Sequence, residues 1–235
     1  MTASCGPLAL VGGEEWTDGC DFDSDLLQAA GLVGASGRGP VVVLPTAAAY
    51  ENPHKHLEGA GRWFEGLGVA VRGLPVLSRR DAEDEALAAE VRQARFVYLS
   101  DGSAMHLRSV LKGSAVWGAL VQAWRSGAVV AGSGAGAMVL TDPMVDPRGG
   151  ALTVGLGLVT GMAVVSHVGH ENVEKVHRSV ALAGPGLAVV GIPERTALIG
   201  TGDGTWRATG AGQVQVFVDG APADLRALPA VSPPR

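Results

Sequence analysis

Along the first 140 residues, short unbroken apolar runs alternate with stretches in which apolar residues recur every three or four positions. The runs are "PLALVGG" (7–13), "PVVVLPTAAA" (40–49), "VAVRGLPV" (69–76), "RFVYLS" (95–100) and "AVVAGS" (128–133). Continuous runs of this length, several rich in valine, fit parallel strands buried on both faces. The intervening stretches predict helices. "SDLLQAAGLV" opens on Ser24 as an N-cap, and "ENPHKHLEGAGRWFEGLG" closes on Gly68. "RDAEDEALAAEVRQA" carries its acids early and Arg92 late, as a helix dipole favours. "SAVWGALVQAWRSG" puts Trp117, Leu120, Val121 and Trp124 on one core-facing stripe. Strand alternating with helix predicts a three-layer α/β/α fold around a mainly parallel, doubly wound sheet.

Beyond residue 140 the pattern becomes strand-rich, in "LTVGLGLV", "MAVVSHV", "LAVVGIP", "TALIGTG", "TWRATG" and "QVQVFVDG", with one helix at about 170–183. Turn signals in "TGDGTW" and "FVDGAP" predict a closing antiparallel hairpin at the sheet edge. In "QVQVFVDG", Val214, Val216 and Val218 alternate with Gln213 and Gln215, so an exposed apolar edge, and through it a homodimer, is expected. No repeat or linker interrupts the pattern. A single domain over 1–228 is expected, with 229–235 ("PAVSPPR" spans 229–235) as a flexible tail.

Composition narrows the function. A chain of 235 residues, 47% hydrophobic, suffices for one large domain. A net charge of −5 gives no electrostatic reason to expect nucleic acid or an anionic membrane surface as a partner. No apolar run approaches the roughly 20 residues of a membrane span, and no signal-like segment opens the chain. Cys5 and Cys20 make neither a metal spacing nor a disulfide framework. A cytoplasmic protein with reduced thiols and no cofactor is expected.

In doubly wound sheets, ligands sit beyond the carboxyl ends of the strands. Three loops fall there: "GGEEW" (12–16), "SDGSAMH" (100–106) and "GSGAGAM" (132–138). The last has the form of a nucleophile elbow, in which a strand feeds a tight glycine-lined turn and a helix begins at once. A plain glycine-rich turn that packs, or binds a phosphate, reads equally well from spacing alone.

The chain resembles the serine peptidases that include cyanophycinase and aspartyl dipeptidase (peptidase E), from "LALVGG" to "GIPERTALIG". That resemblance implies a class I glutamine-amidotransferase-like fold and hydrolysis of peptide or isopeptide bonds. The family elbow reads G-[TSW]-S-A-G-A, and "GSGAGAM" matches it at Gly132, Ala135, Gly136 and Ala137. The nucleophilic serine then falls on Gly134. A motif resembling [DS]-x-H-F, matched loosely by "VVSHV", gives His167 as the base, and one like G-I-[DP]-E-x-T-A gives Glu194 as its acidic partner. The "SDGS" loop resembles the family's G-G-[DNS] turn, which implies oxyanion donors at the backbones of Gly102 and Ala135.

Three departures bear on function. Gly134 removes the group that His167 and Glu194 would activate. Asp101 stands where the family usually has glycine, and so brings a carboxylate to the oxyanion site. The basic residues of an H-F-x-x-R-x-R pattern are replaced by Glu171 and Val173, which puts recognition of acidic peptides in doubt. The expected function is therefore that of a peptidase homologue disarmed at its nucleophile, with Gly134→Ser alone expected to rearm it. The alternatives are a pseudoenzyme that binds a small ligand or a protein, and an enzyme that uses His167 as acid or base on a metabolite. A small peptide or amino-acid-like ligand would meet Asp101, Ser103, Ser133, His170 and Glu171. Ser133 reads as a filler of the small position before the tip, because an elbow aims one residue only. His167, His170, Glu171, Glu174 and His177 do not form the H-E-x-x-H pattern of a zinc helix, so no metal site is assigned. Glu14, Glu15 and "PHKH" (53–56) read as solvated surface.

Overall fold

The computed structural model describes residues 5–34, 39–169 and 173–231. Five strands come from the five predicted runs: β1 (Leu8–Val11), β2 (Val41–Leu44), β3 (Val71–Gly73), β4 (Phe96–Leu99) and β5 (Val129–Ser133). Two short ladders follow, β6 (Thr141–Asp142) with β9 (Val159–Thr160) and β7 (Met144–Val145) with β8 (Leu152–Thr153). Then come β10 (Met162–Val165), β11 (Ala188–Gly191), β12 (Thr196–Gly200), β13 (Trp206–Gly210), β14 (Gln215–Val218) and β15 (Ala221–Ala223). The helices are α1 (Phe22–Ala29), α2 (Pro53–Gly66), α3 (Arg79–Ala82), α4 (Glu85–Gln93), α5 (Ala104–Leu111), α6 (Ala115–Arg125), α7 (Ala135–Val139) and α8 (Val173–Leu182).

The main sheet has the order β13-β12-β1-β5-β4-β2-β3. Its five strands from β1 to β3 are parallel, and β12 and β13 continue it antiparallel. Alternation along each strand divides the interior into two cores. Val41, Val43, Phe96 and Tyr98 face one core, with Phe22 and Leu26 of α1 and Phe64 of α2. Val42, Leu44, Val97 and Leu99 face the other, with Leu107 of α5, Trp124 of α6 and most of the second sheet. Both faces of the strands are thus sealed, which is why their sequences run apolar without a break.

The strand-rich second half does more than lengthen one sheet. It builds a separate four-stranded sheet, β10-β11-β14-β15. Here β14, the strand of "QVQVFVDG", lies between β11 and β15 with Val216 buried, so it is no exposed edge. The edge is "APA" (221–223), whose Pro222 lacks the N–H that a further partner strand would need. This removes the physical reason given for a homodimer.

Local chemistry also moves some boundaries. Helix α1 starts after Asp21, leaving Ser24 inside its first turn. The "RDAEDEALAAEVRQA" stretch splits in two, because Ser78 and Asp81 form a capping box for α3 while Asp84 caps α4. Some of its acids therefore serve as caps rather than as charges along one helix. On α6, Trp117 and Val121 are only half-buried, and Val116, Ala119, Leu120, Ala123 and Trp124 carry the packing. The start of the expected tail is packed: Trp206 Nε1 donates to the Pro229 carbonyl at 2.7 Å and Val231 is buried. Residues 232–235 lie outside the described residues.

Candidate active site

At the carboxyl end of β5 the chain turns at Gly134 and enters α7 at Ala135. Gly134 has φ +49° and ψ −108°, a conformation that strains any residue bearing a Cβ. Its N–H donates to the Val11 carbonyl of β1, which pins the turn to the sheet. The turn is also crowded: a Cβ on Gly132 would press on the Gly136 backbone, and one on Gly136 on the Leu99 carbonyl. The glycines at 132, 134 and 136 are therefore required by the backbone, and the turn stands with no side chain at its tip.

The space above that tip is filled from β4. Asp101 follows the strand, and its Oδ1 accepts from two backbone N–H groups, Gly102 and Ala135, each at 2.7 Å. These are the two amides to which the resemblance assigns oxyanion stabilisation. Asp101 Oδ2 lies 2.7 Å from His167 Nε2. A Cβ built on Gly134 would fall on the Asp101 carboxylate, in collision with Oδ1, Cγ and Oδ2. Gly134→Ser therefore requires the Asp101 carboxylate to leave its seat, a contact that the sequence did not announce.

His167 follows β10 at φ +54°, and its N–H donates to the Gly12 carbonyl at 2.6 Å. Its Nδ1 lies 3.0 Å from Glu194 Oε1, on the turn between β11 and β12. The imidazole thus bridges two carboxylates. The hydrogen bond to Asp101 raises the His167 pKa most; burial opposes it, the bond to Glu194 adds to it, and the result is about 9. At neutral pH the ring is an imidazolium that can donate from both nitrogens. Burial alone would push the Asp101 carboxyl up. The hydrogen bonds from His167, Ala135 and Gly102 outweigh burial and hold it below the ordinary carboxylate range.

Beneath this pair stands Glu15, read from the sequence as solvated. Its Oε1 accepts from the Asp101 N–H at 3.0 Å and its Oε2 from the Ser133 hydroxyl at 2.7 Å. One carboxylate therefore ties β1, β4 and β5 together directly behind the site. A glutamate two residues past a strand-ending Gly-Gly was the available signal. Ser133 is fully buried, so its hydroxyl belongs to this brace and not to the site mouth. Ser103 caps α5 by accepting from the His106 N–H, a structural contact. Glu14 pairs with Arg195. His170 and Glu171 lie outside the described residues.

A cavity of about 320 Å³ opens over Asp101, Gly102, Ala135 and His167. Its lining also brings in Glu51, Lys175 and His56, the last of which the sequence placed on the surface. Met138, Ala104 and Pro147 supply apolar wall between them.

With this geometry in place, comparison with known proteins decides the lineage. The profile of Peptidase family S51 matches residues 21–207. The chain belongs to Peptidase family S51. Cyanophycinases of Synechococcus elongatus and of Thermosynechococcus vestitus are each 26% identical to it over 224 residues, covering 89% of this chain. The chain spans 66% of the length of those relatives. A crystal structure of a peptidase from an acI-B1 actinobacterium superposes with a TM-score of 0.79 at 26% identity, covering 93% of each chain. A candidate peptidase E from Listeria monocytogenes EGD-e shares the fold, with a TM-score of 0.66 at 17% identity over 88% of this chain and all of that one. Among the described residues, no helix of this S51 protein is long and apolar enough to cross a membrane.

Proposed function

We propose that this S51 protein is disarmed as a serine peptidase and that Asp101 stands in for both the missing hydroxyl and the oxyanion. The observation that carries this reading is the position of Asp101 Oδ1, 2.7 Å from the Gly102 and Ala135 amides and over the bare tip at Gly134. A peptide carbonyl entering this site finds no nucleophile on the elbow and both amides taken. Loss of the nucleophile from a comparable triad costs about 10⁶ in turnover. The cavity is retained, and Lys175 and Glu51 on its wall suit a small ligand bearing both a carboxylate and an amine, such as a dipeptide or an amino acid.

The test is covalent labelling with a fluorophosphonate, run beside hydrolysis of acidic and isoaspartyl dipeptides. The unmodified chain should neither label nor hydrolyse. Gly134→Ser alone should also fail, whereas Asp101→Gly with Gly134→Ser should label, and adding His167→Ala should abolish that labelling. Labelling of the unmodified chain would overturn the reading, as would labelling of Gly134→Ser as fast as the double variant.

A further inference from the structure

We propose that the loop between β1 and α1 is a proton-operated strap. It holds Glu15 behind the site while Asp23 is a neutral acid, and it lets go when Asp23 loses its proton. This stands whether or not Asp101 closes the serine route.

Asp23 lies in the first turn of α1 and is fully buried. A single donor is aimed at it, the Trp63 indole of α2, 2.9 Å from Oδ2. Among the described residues, Oδ1 is buried without a hydrogen-bond partner, and so are Trp16 Nε1 and Tyr98 Oη in the same core. The titratable groups that face Asp23 are Glu15 and Cys20 from the loop and Tyr98 from β4. The rest of that core is aromatic and aliphatic, with Phe22, Phe64, Ala197 and Ile199. The charge acting on Asp23 is that of Glu15, which repels a second carboxylate. With one neutral donor and a like charge nearby, the ionised form is strongly disfavoured against the neutral acid. Burial accordingly pushes the Asp23 pKa from 3.8 up to about 8.

The loop itself stores strain. Glu14 and Trp16 hold φ of +50° and +61°, a left-handed conformation that residues with a Cβ adopt at a cost. Contacts on each side keep them there. Trp16 packs on Tyr98 with ring centroids 5.1 Å apart, and Glu14 pairs with Arg195. Between them, Glu15 accepts from the Asp101 N–H and the Ser133 hydroxyl. A charge on Asp23 works against this arrangement twice: it repels Glu15, and it draws the first turn of α1 toward water with Cys20 attached. Opening relaxes the two strained residues and takes the Glu15 brace away from Asp101.

In the open loop Asp23 meets water and regains its ordinary pKa of 3.8. Between that value and about 8, the closed form carries one proton more than the open one. The open population therefore rises about tenfold for each unit of pH across this window and levels off above it. His167 adds almost nothing to the slope below about pH 6, where its ring is protonated whether the strap is shut or open.

Cys20, fully buried near the end of the loop, is the reporter. The full chain is treated with methyl methanethiosulfonate from pH 5 to pH 6, and labelling at Cys20 is read by peptide mass spectrometry. Dividing by the rate for the unfolded chain at each pH removes the titration of the thiol itself. Protection of Cys20 should fall about tenfold over that unit of pH. Asp23→Asn should flatten the slope, and Asp23→Ser, smaller and equally neutral, serves if the asparagine variant does not fold. Sub-denaturing urea should leave the rate nearly unchanged, since a strap exposes little surface. Hydrogen exchange at the Asp101 N–H, the group that Glu15 holds, should follow the same pH dependence. The proposal is overturned if Cys20 protection is flat between pH 5 and pH 6, or if the slope survives in a folded neutral variant. A labelling rate that climbs steeply with urea overturns it as well, because Cys20 would then be reached through global unfolding. An Asp101 amide that stays protected while Cys20 opens overturns the link to the site, and with it the proposal.

Discussion

The two halves of the site are built from different things. The half built from β10, β11 and β12 keeps its side chains, with His167 3.0 Å from Glu194, on motifs that match the S51 resemblance. The half built from β4 and β5 is held by its backbone, with a tight turn at Gly134 and the amides of Gly102 and Ala135 aimed at one point, where the Asp101 carboxylate sits. A turn whose shape is dictated by close packing does not need a side chain at its tip. The packing of Gly132 against Gly136 and the Gly134 N–H bond to β1 hold the elbow for reasons unconnected with catalysis. A side chain at the tip enjoys no such support.

The sharpest way to break this contrast is to give the elbow half a side chain. Gly134→Ser alone must combine positive-φ strain with a collision against Asp101, and the folded state should lose about 3 kcal/mol or more, read as a lower thermal midpoint. Asp101→Gly beside it should recover much of that loss. Full stability in the single variant would mean that Asp101 swings away at little cost and that the two halves are coupled only weakly.

Next in size is the pH behaviour of the retained half. The folded pKa of His167 is raised from 6.5 to about 9, so its contribution to stability is complete below pH 6.5 and is lost as pH rises through about 9. Asp101 is shifted down, so its own contribution persists across that window and is lost only as pH falls below the ordinary carboxylate range. Denaturant titrations should show His167→Ala well below the parent at pH 6, with the gap narrowed at pH 9.5. A gap independent of pH would mean that the imidazolium is not what binds the halves together.

Two smaller effects separate brace from cap. Glu15→Gln cannot accept from both Asp101 N–H and Ser133 Oγ–H without turning a donor toward one of them, and should cost about 1–2 kcal/mol. Ser103→Ala removes an N-cap from α5 and should cost about 1 kcal/mol. The first change should also weaken the Asp101 contacts, seen as a downfield-to-upfield shift of the Ala135 amide in NMR, and the second should not.

Much of this architecture is written in local pattern. The five parallel strands are legible because burial on both faces leaves runs such as "VVVL" without polar interruption. The elbow and the His167–Glu194 pair are legible through their resemblance to the family motifs, where spacing alone leaves a plain glycine-rich turn open. What escaped depends on contacts across the sheet. The Gly-Gly before it puts Glu15 at the carboxyl end of β1, but only Asp101 and Ser133, 86 and 118 residues away, turn its charge inward. Asp23 is similar: buried beneath the sheet with Trp63 as its donor, it has its pKa pushed up by burial to about 8, yet sits in an ordinary amphipathic stretch. Strand β15 was missed because "APA" has no strand propensity, only a partner.

The collision between the tip of the turn and Asp101 makes the two positions one unit. A Cβ at 134 would lie on the Asp101 carboxylate, so a side chain at the tip and the carboxylate in its present seat exclude one another. A hydroxymethyl group at 134 requires Asp101 to leave the amides of Gly102 and Ala135, and with them its contact to His167, so a change at either position is felt at both and at the histidine beyond.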